Sequence, residues 1–326
     1  MPGTSIRMFA ILGSGFGLYG YLPALVGGCE QNVVLPERYR TRFCERSELA
    51  HFAINVQWEE DEFATLLCAD GVVLALRPID QRVWISRCLV HSNINYLILE
   101  KPLANSPEVA AEVLNDLVRS CRVFRIGYTF RYTAWGNKLL STLSLSRGSD
   151  LVSINWSFLA HHYRHDLRNW KRFHSTGGGA IRFYGIHVIA LLAEIGYRNV
   201  ILSRAFGSVP DEVEKWCATF AGPGLPECEV VVDTRSTIKE FRVEQVSSSR
   251  AGLTTVFANL SDPFDSGDET CRSGQIDQRV SGLTRLCHSL WEEGSNEYEW
   301  YAETIRLWTS AEATCLTCLI QSNQPR

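Results

Sequence analysis

Two textures divide the apolar positions of this chain. Up to Tyr128, short β-type apolar runs at residues 6–12, 33–35, 70–76, 96–99 and 122–128 alternate with stretches whose apolar residues recur at helical spacing. An unbroken apolar run suits a strand covered on both faces, because successive side chains point to opposite sides. Helices are predicted over 18–26, 61–67, 79–91 and 107–120, the last with Val109, Val113, Leu114 and Leu117 on one face. Strand and helix in alternation predict a parallel sheet with helices on both faces. Beyond Arg131 the period changes. Residues 151–158 alternate apolar and polar, with similar runs at 229–233, 240–246 and 254–258, a helical candidate at 179–195 and a helical tail over 283–319. Period two predicts half-buried strands, hence an α+β domain with a mostly antiparallel open sheet and helices on one face.

The first run ends in three glycines within five residues, Gly13-Ser14-Gly15-Phe16-Gly17. Glycine permits positive φ and lets a ligand approach the backbone, and the N–H groups opening the next helix favour a pyrophosphate. With Gly13 and Gly15 as the first two positions of G-x-G-x-x-G the third falls on Leu18, which predicts a loss of close helix-to-strand packing there. The fold class is therefore α/β, with an N-terminal Rossmann-type doubly wound parallel sheet and a C-terminal α+β domain. Residues 1–128 are assigned to dinucleotide binding. Residues 129–326 are assigned to substrate binding and oligomerisation, with the C-terminal helices packing back on the first domain.

Composition narrows the class. The chain has 326 residues, 45% hydrophobic and 21% charged, with a net charge of -4, which suits a folded protein and recruits neither nucleic acid nor an anionic membrane. No apolar run reaches the roughly 20 residues of a membrane helix, and the N-terminus runs almost directly into the first strand, with no room for a signal peptide. Eleven scattered cysteines, an odd number, predict a reduced, cytoplasmic chain. Cys315 and Cys318 form a C-x-x-C in a stretch that reads as helix, without a second ligand pair, so no metal is expected.

Several residues sit where chemistry is expected. Glu37, after the second strand, has the place of an acid that holds an adenosine ribose, while Arg38, Arg40 and Arg42 suit a 2′-phosphate; NAD and NADP both stay open. Arg77-Pro78 and Glu100-Lys101-Pro102 each follow a strand, on the rim where open α/β sheets bind ligands. Lys101 there can bond a substrate hydroxyl and pass a proton. In the second domain, Trp170-Lys171 and the glycines Gly177, Gly178 and Gly179 precede a helix carrying Tyr184 and His187 three apart, on one side. The triple glycine reads as another place for a ligand to meet backbone. Tyrosine donates a hydrogen bond and histidine exchanges a proton near neutrality. Arg182 is a candidate charge for a phosphate or carboxylate on the substrate. His161, His162, His165 and His174 lack the spacing and carboxylates of a metal site.

Taken in order, the glycine turn, Glu100-Lys101-Pro102, Gly127-Tyr128-Thr129-Phe130-Arg131-Tyr132, and Gly177-Gly178-Gly179 with Gly185 and His187 resemble the glucose-fructose oxidoreductase and inositol dehydrogenase family over most of the chain. The resemblance implies an NAD- or NADP-dependent oxidoreductase, with hydride moving between nicotinamide and a hydroxyl or carbonyl carbon of a sugar, sugar nucleotide or related polyol. It implies Lys101 and His187 as proton-handling and substrate-orienting residues, with Tyr184 beside them. The cofactor contacts are then Gly13, Ser14, Gly15, Phe16, Gly17, Glu37, Arg38, Arg77, Pro78, Glu100 and Lys101. The substrate contacts are Arg131, Trp170, Lys171, Arg182, Tyr184 and His187.

One departure stands out. The family pattern carries an aspartate four residues before the histidine, and here that position is Phe183. Either Tyr184 or Asp166 supplies the polar contact, or the substrate is less hydroxylated, or oxidation is lost and the chain is a dinucleotide-binding sensor or scaffold. A redox-neutral dehydratase or epimerase that retains its cofactor is a further reading. The open sheet face predicts a homodimer or homotetramer.

Overall fold

The computed structural model describes residues 6–143, 150–247, 254–265, 277–292 and 297–319. The described residues of 1–103, 112–129 and 266–298 form one compact unit, and those of 104–111, 130–265 and 299–326 form another. The first unit is built on six parallel strands: β1 (Met8–Leu12), β2 (Asn32–Pro36), β3 (Val56–Glu59), β4 (Gly71–Leu74), β5 (Tyr96–Leu99) and β6 (Val123–Ile126). Their order, β3-β2-β1-β4-β5-β6, reverses direction between β1 and β4. Ligands of doubly wound sheets bind in the crevice at such a reversal. Leu12, Leu74, Leu99 and Ile126 stand level in the ladder, so the residues after them share one carboxyl edge. Phe9–Leu12 and the centres of β2, β4 and β5 are fully buried. Each such apolar side chain contributes about 1.5–3 kcal/mol, which is why these strands sit in the middle of the sheet.

Strand β3 is not visible in the apolar pattern, since Val56-Gln57-Trp58-Glu59 forms a sheet edge with no fully buried residue. The predicted helices at 61–67, 79–91 and 107–120 are observed as Glu62–Cys68, Pro78–Leu89 and Pro107–Arg119. Asp61 caps the first of these, its carboxylate accepting the Ala64 N–H at 2.8 Å. Pro78 opens the second at a position where a missing N–H costs nothing. The helix expected over 18–26 is two segments, Gly17–Tyr21 and Ala24–Gly28, both wound wide with i→i+5 bonding. Pro23, which donates no backbone hydrogen bond, stands between them.

The second unit carries a seven-stranded mixed sheet: β7 (Leu151–Leu159), β8 (Asn199–Gly207), β9 (Lys215–Ala221), β10 (Glu227–Asp233), β11 (Arg235–Val246), β12 (Thr254–Leu260) and β13 (Cys315–Leu319). The order is β12-β11-β7-β10-β9-β8-β13; β7–β10 and β8–β13 are parallel and the other four pairs antiparallel. Along β9, Trp216, Ala218 and Phe220 are buried and alternate with half-buried residues, the one-faced pattern expected of such a sheet. The helix Ile186–Ile195 buries every residue except Glu194.

Two readings of the tail are corrected. Residues 283–319 are not one helical stretch, and Cys315 and Cys318 lie on β13, not on a helix. The helix Tyr298–Ala313 ends before them, and β13 pairs Cys315 with Ser203 on β8. Pairing with an exposed strand edge outweighs the weak helical preference of the local sequence. Every cysteine whose side chain is described has a free thiol; Cys271 lies outside the described residues. None of the described helices is long and apolar enough to cross a membrane.

Candidate functional site

The glycine turn stands at the end of β1, beside the start of the β4 loop. Gly13 has φ +134°, and a Cβ on it would lie 2.2 Å from the Ala75 carbonyl oxygen, so only glycine fits. Its N–H donates to the buried Tyr39 hydroxyl at 3.1 Å, which ties β1 to the segment after β2. A Cβ on Gly15, by contrast, would meet nothing within 4 Å. The backbone is open to a ligand there, at the first turn, where Leu18 donates to the Gly15 carbonyl at 3.0 Å. Gly17 performs the packing expected of the third glycine, since its Cβ would come 2.8 Å from Ile11. The defect assigned to Leu18 is thereby corrected: Leu18 is fully buried, and the close helix-to-strand approach falls one residue earlier.

Arginines surround this turn. Arg42 donates to the Ser14 hydroxyl at 3.0 Å. Arg279 lies 4.2 Å over the Phe16 ring and is paired with Asp277 at 2.7 Å. Glu37 is exposed and bound in a bidentate pair by Arg40 at 2.5 and 2.8 Å, which holds its carboxyl below the usual range. Arg38 is paired with Glu62. The ribose-type acid and the phosphate-type cations therefore neutralise one another in part.

Along the same edge, Arg77 pairs with Asp80 in the first turn of the Pro78 helix at 2.5 Å. Glu100 follows β5, and its carboxylate accepts the Tyr21 hydroxyl at 2.7 Å. Burial raises the Glu100 carboxyl above its ordinary range, and the neighbouring Lys101 ammonium opposes that shift. Sequence reasoning missed Gln81, which is fully buried and holds the strand end from three sides. Its amide donates to the carbonyls of Glu100 at 2.7 Å and Leu103 at 3.2 Å, while its oxygen accepts the Glu100 N–H at 3.1 Å. A glutamine three residues after the helix-opening proline, on its buried face, was the available signal.

In the second unit, Gly177 and Gly179 have φ +91° and +76°. A Cβ on Gly178 would lie 2.3 Å from the Trp170 carbonyl oxygen, and one on Gly179 3.1 Å from that of Val213. The reading of this triplet as a ligand approach is corrected, because the chain's own backbone occupies the space. What the glycines do is seat Trp170-Lys171 against the start of the helix that carries Tyr184 and His187. His187 is 4% exposed and stacked on Phe130, ring centroids 4.8 Å apart at 19°. Tyr184 is half-buried, ringed by Trp156, Phe158 and Phe183 at 5.5, 4.9 and 4.7 Å. Phe183 meets Trp170 edge-on at 5.2 Å, and the Lys171 ammonium lies 5.1 Å from its ring centroid.

The other candidate cations are held by carboxylates of the same unit. Arg182 forms a bidentate pair with Glu312 at 2.7 and 2.6 Å and also donates to the carbonyls of Asn105 and His174. Arg131 pairs with Glu194 at 2.8 Å and lies 4.5 Å over the Trp300 ring. Asp166 accepts from Arg172 at 2.9 Å. Arg182 thus braces the helix, and Phe183 leaves no carboxylate at its position. Among the described residues no group of three or more His, Cys, Asp and Glu is arranged to hold a metal ion.

Comparison with solved structures places this architecture. The WlbA dehydrogenase from Chromobacterium violaceum, in complex with NADH and UDP-GlcNAcA, matches 96% of this chain and 96% of its own at TM-score 0.70 and 14% identity. KijD10, a 3-ketoreductase from Actinomadura kijaniata in complex with NADP and TDP-benzene, matches 97% and 100% at 0.68 and 12%. The super-repressor mutant of Gal80p from Saccharomyces cerevisiae matches 95% and 95% at 0.68 and 12%. No protein-family model and no curated protein matches the chain. At these identities the likeness shows a shared two-domain fold.

Proposed function

We propose that this chain is an NAD- or NADP-dependent oxidoreductase of the glucose-fructose oxidoreductase and inositol dehydrogenase family, acting on a hydroxyl or carbonyl carbon of a sugar-type substrate. One observation carries the reading. The ligand-open Gly15 turn and Lys101 follow strands β1 and β5, whose ends are level and which are separated only by β4. At strand spacing that is roughly 10 Å, within the length of one dinucleotide. The Cβ position left open at Gly15 fits a pyrophosphate, which the first-turn N–H groups and helix dipole favour.

A bound nicotinamide supplies the hydride acceptor or donor. Lys101 supplies the charge that stabilises an alkoxide as hydride leaves the substrate carbon, and it takes or returns the hydroxyl proton. Gln81 and Glu100 fix the backbone from which it projects. In the second unit, His187 and Tyr184 orient the substrate, supported by Trp170 and Lys171. The folds shared with the WlbA dehydrogenase bound to NADH and UDP-GlcNAcA and with the 3-ketoreductase KijD10 bound to NADP support this reading.

Mass spectrometry of nucleotide retained by purified protein, followed by titration with NADH and NADPH, tests the binding half. Lys101→Ala tests the chemistry: turnover in a screen of sugars and sugar nucleotides falls by a factor of about 10² or more with dinucleotide affinity nearly intact. Near-normal turnover removes Lys101 from the mechanism. A second reading, a dinucleotide binder without turnover, draws on Phe183 and on the Gal80p likeness. Binding with no nicotinamide absorbance change across the screen supports it.

A further inference from the structure

Cys29 and Cys287 are far apart in the chain and meet inside the first unit. Cys29 closes the wide-wound segment Ala24–Gly28, and Cys287 stands in the last turn of the helix Val280–His288. Three contacts bring these two pieces together. A Cβ on Gly28 would lie 2.4 Å from the Thr284 side chain, so the segment runs hard against the helix. The Cys29 thiol donates to the Thr284 carbonyl at 3.7 Å, and His288 Nε2 lies 3.1 Å from the Gly28 carbonyl oxygen. Thr284, Cys287 and His288 share one helix face at i, i+3 and i+4, so the contacts on either side of Cys287 bring it to Cys29. The two thiols are hydrogen bonded to each other.

Both sulfurs are withdrawn from water, Cys29 at 5% exposure and Cys287 at 0%. The bond to Cys29, and then burial, raise the Cys287 thiol well above its ordinary range. Cys287 therefore stays protonated while Cys29, nearer the surface, meets an incoming oxidant first. Hydrogen peroxide, little larger than water, can reach it. Attack of the Cys29 sulfur on peroxide breaks the O–O bond and leaves a sulfenic acid and one water. The Cys287 sulfur then displaces the sulfenic hydroxyl, which departs with the Cys287 proton as a second water. Two thiols lose two electrons in all, and the peroxide gains them.

The helix that carries Cys287 is headed by Arg279, which lies 4.2 Å over the Phe16 ring of the glycine turn. One end of the helix is thus tied to the turn by an arginine and the other by the thiol pair. We infer that Cys29 and Cys287 are a redox latch: as thiols they let the helix Val280–His288 open locally, and as a disulfide, formed as a peroxide is reduced, they hold the helix and Arg279 on the glycine turn. A cross-link that closes a loop over most of the chain removes many open conformations, and its stabilisation comes from there. The inference goes beyond the oxidoreductase reading, and its readouts need neither dinucleotide nor substrate.

The test treats the full reduced chain with hydrogen peroxide, blocks the remaining thiols and maps the peptides by mass spectrometry. A Cys29–Cys287 disulfide forms, amide hydrogen exchange over residues 280–288 slows roughly 10-fold or more, and the urea midpoint rises by roughly 0.5 M. Dithiothreitol reverses all three. Cys29→Ala and Cys287→Ala each abolish the change in exchange and midpoint, while the exposed Cys44, Cys68 and Cys121 still react with peroxide. Peptides that show both thiols free, or either one bonded to a different cysteine, overturn the inference. So does a Cys29–Cys287 disulfide that leaves exchange over 280–288 unchanged or faster. If either variant fails to fold, peptide mapping and reversal by dithiothreitol in the unmodified chain decide the same question.

Discussion

Gly13 and Gly15 are two residues apart, and their substitution by alanine should fail in opposite ways. At Gly13 an alanine must hold φ near +134° and place its Cβ 2.2 Å from the Ala75 carbonyl oxygen. Unfavourable backbone geometry costs about 1–3 kcal/mol and forced overpacking about 1–3 more. The expected loss is about 2–6 kcal/mol, a large part of the 5–15 typical of a folded protein. At Gly15 the added methyl meets no protein atom within 4 Å. Stability should stay within about 0.5 kcal/mol. If a phosphate bonds this backbone, displacing it forfeits one charge-assisted hydrogen bond, about 1.5–3 kcal/mol, or roughly 10- to 150-fold in affinity. Urea unfolding and fluorescence titration with NADH and NADPH read the two quantities separately. The reasoning fails if Gly15→Ala binds dinucleotide as tightly as the parent, or if Gly13→Ala unfolds at the parent midpoint.

Arg182→Ala should act on stability and not on substrate affinity. Removing the guanidinium leaves Glu312 inside the fold without its bidentate partner, at a cost of about 3 kcal/mol; an unfolding midpoint unchanged alongside a raised KM would return Arg182 to the substrate site. His162 should leave a signature in acid. Its folded value of about 4 lies below the unfolded value near 6.5, so the unfolded chain binds the proton first. Its contribution is complete above about 6.5 and is lost as pH falls toward 4, and His162→Gln should flatten that part of a urea-midpoint profile.

Much of the first unit was legible because its strands are covered on both faces, so burial leaves an unbroken apolar run. The 96–99 run is the observed β5, and 33–35 lies inside β2. Strand β3 was not legible, because an edge strand needs no such run. The same holds for β13, whose sequence reads as helix until a neighbouring strand edge supplies its partners. In the candidate site, Lys101 was legible as a residue following a buried strand. Gln81 and Tyr39 were not, since what matters about them is the distant backbone they bond.

The order of apolar and polar positions, by itself, determined that a parallel sheet precedes a mostly antiparallel one and that glycines and a lysine follow strands of the first. Local spacing suffices for that, because period and punctuation act within a few residues. Only the tertiary structure decided which glycine packs, which one stays open, and which glycines are filled by their own backbone. It also decided that Arg182 and Arg131 answer to carboxylates far along the chain, while Lys171 comes to rest on Phe183. Those outcomes depend on what lies across a few ångströms of space, and sequence separations of 12 to 130 residues carry no record of it.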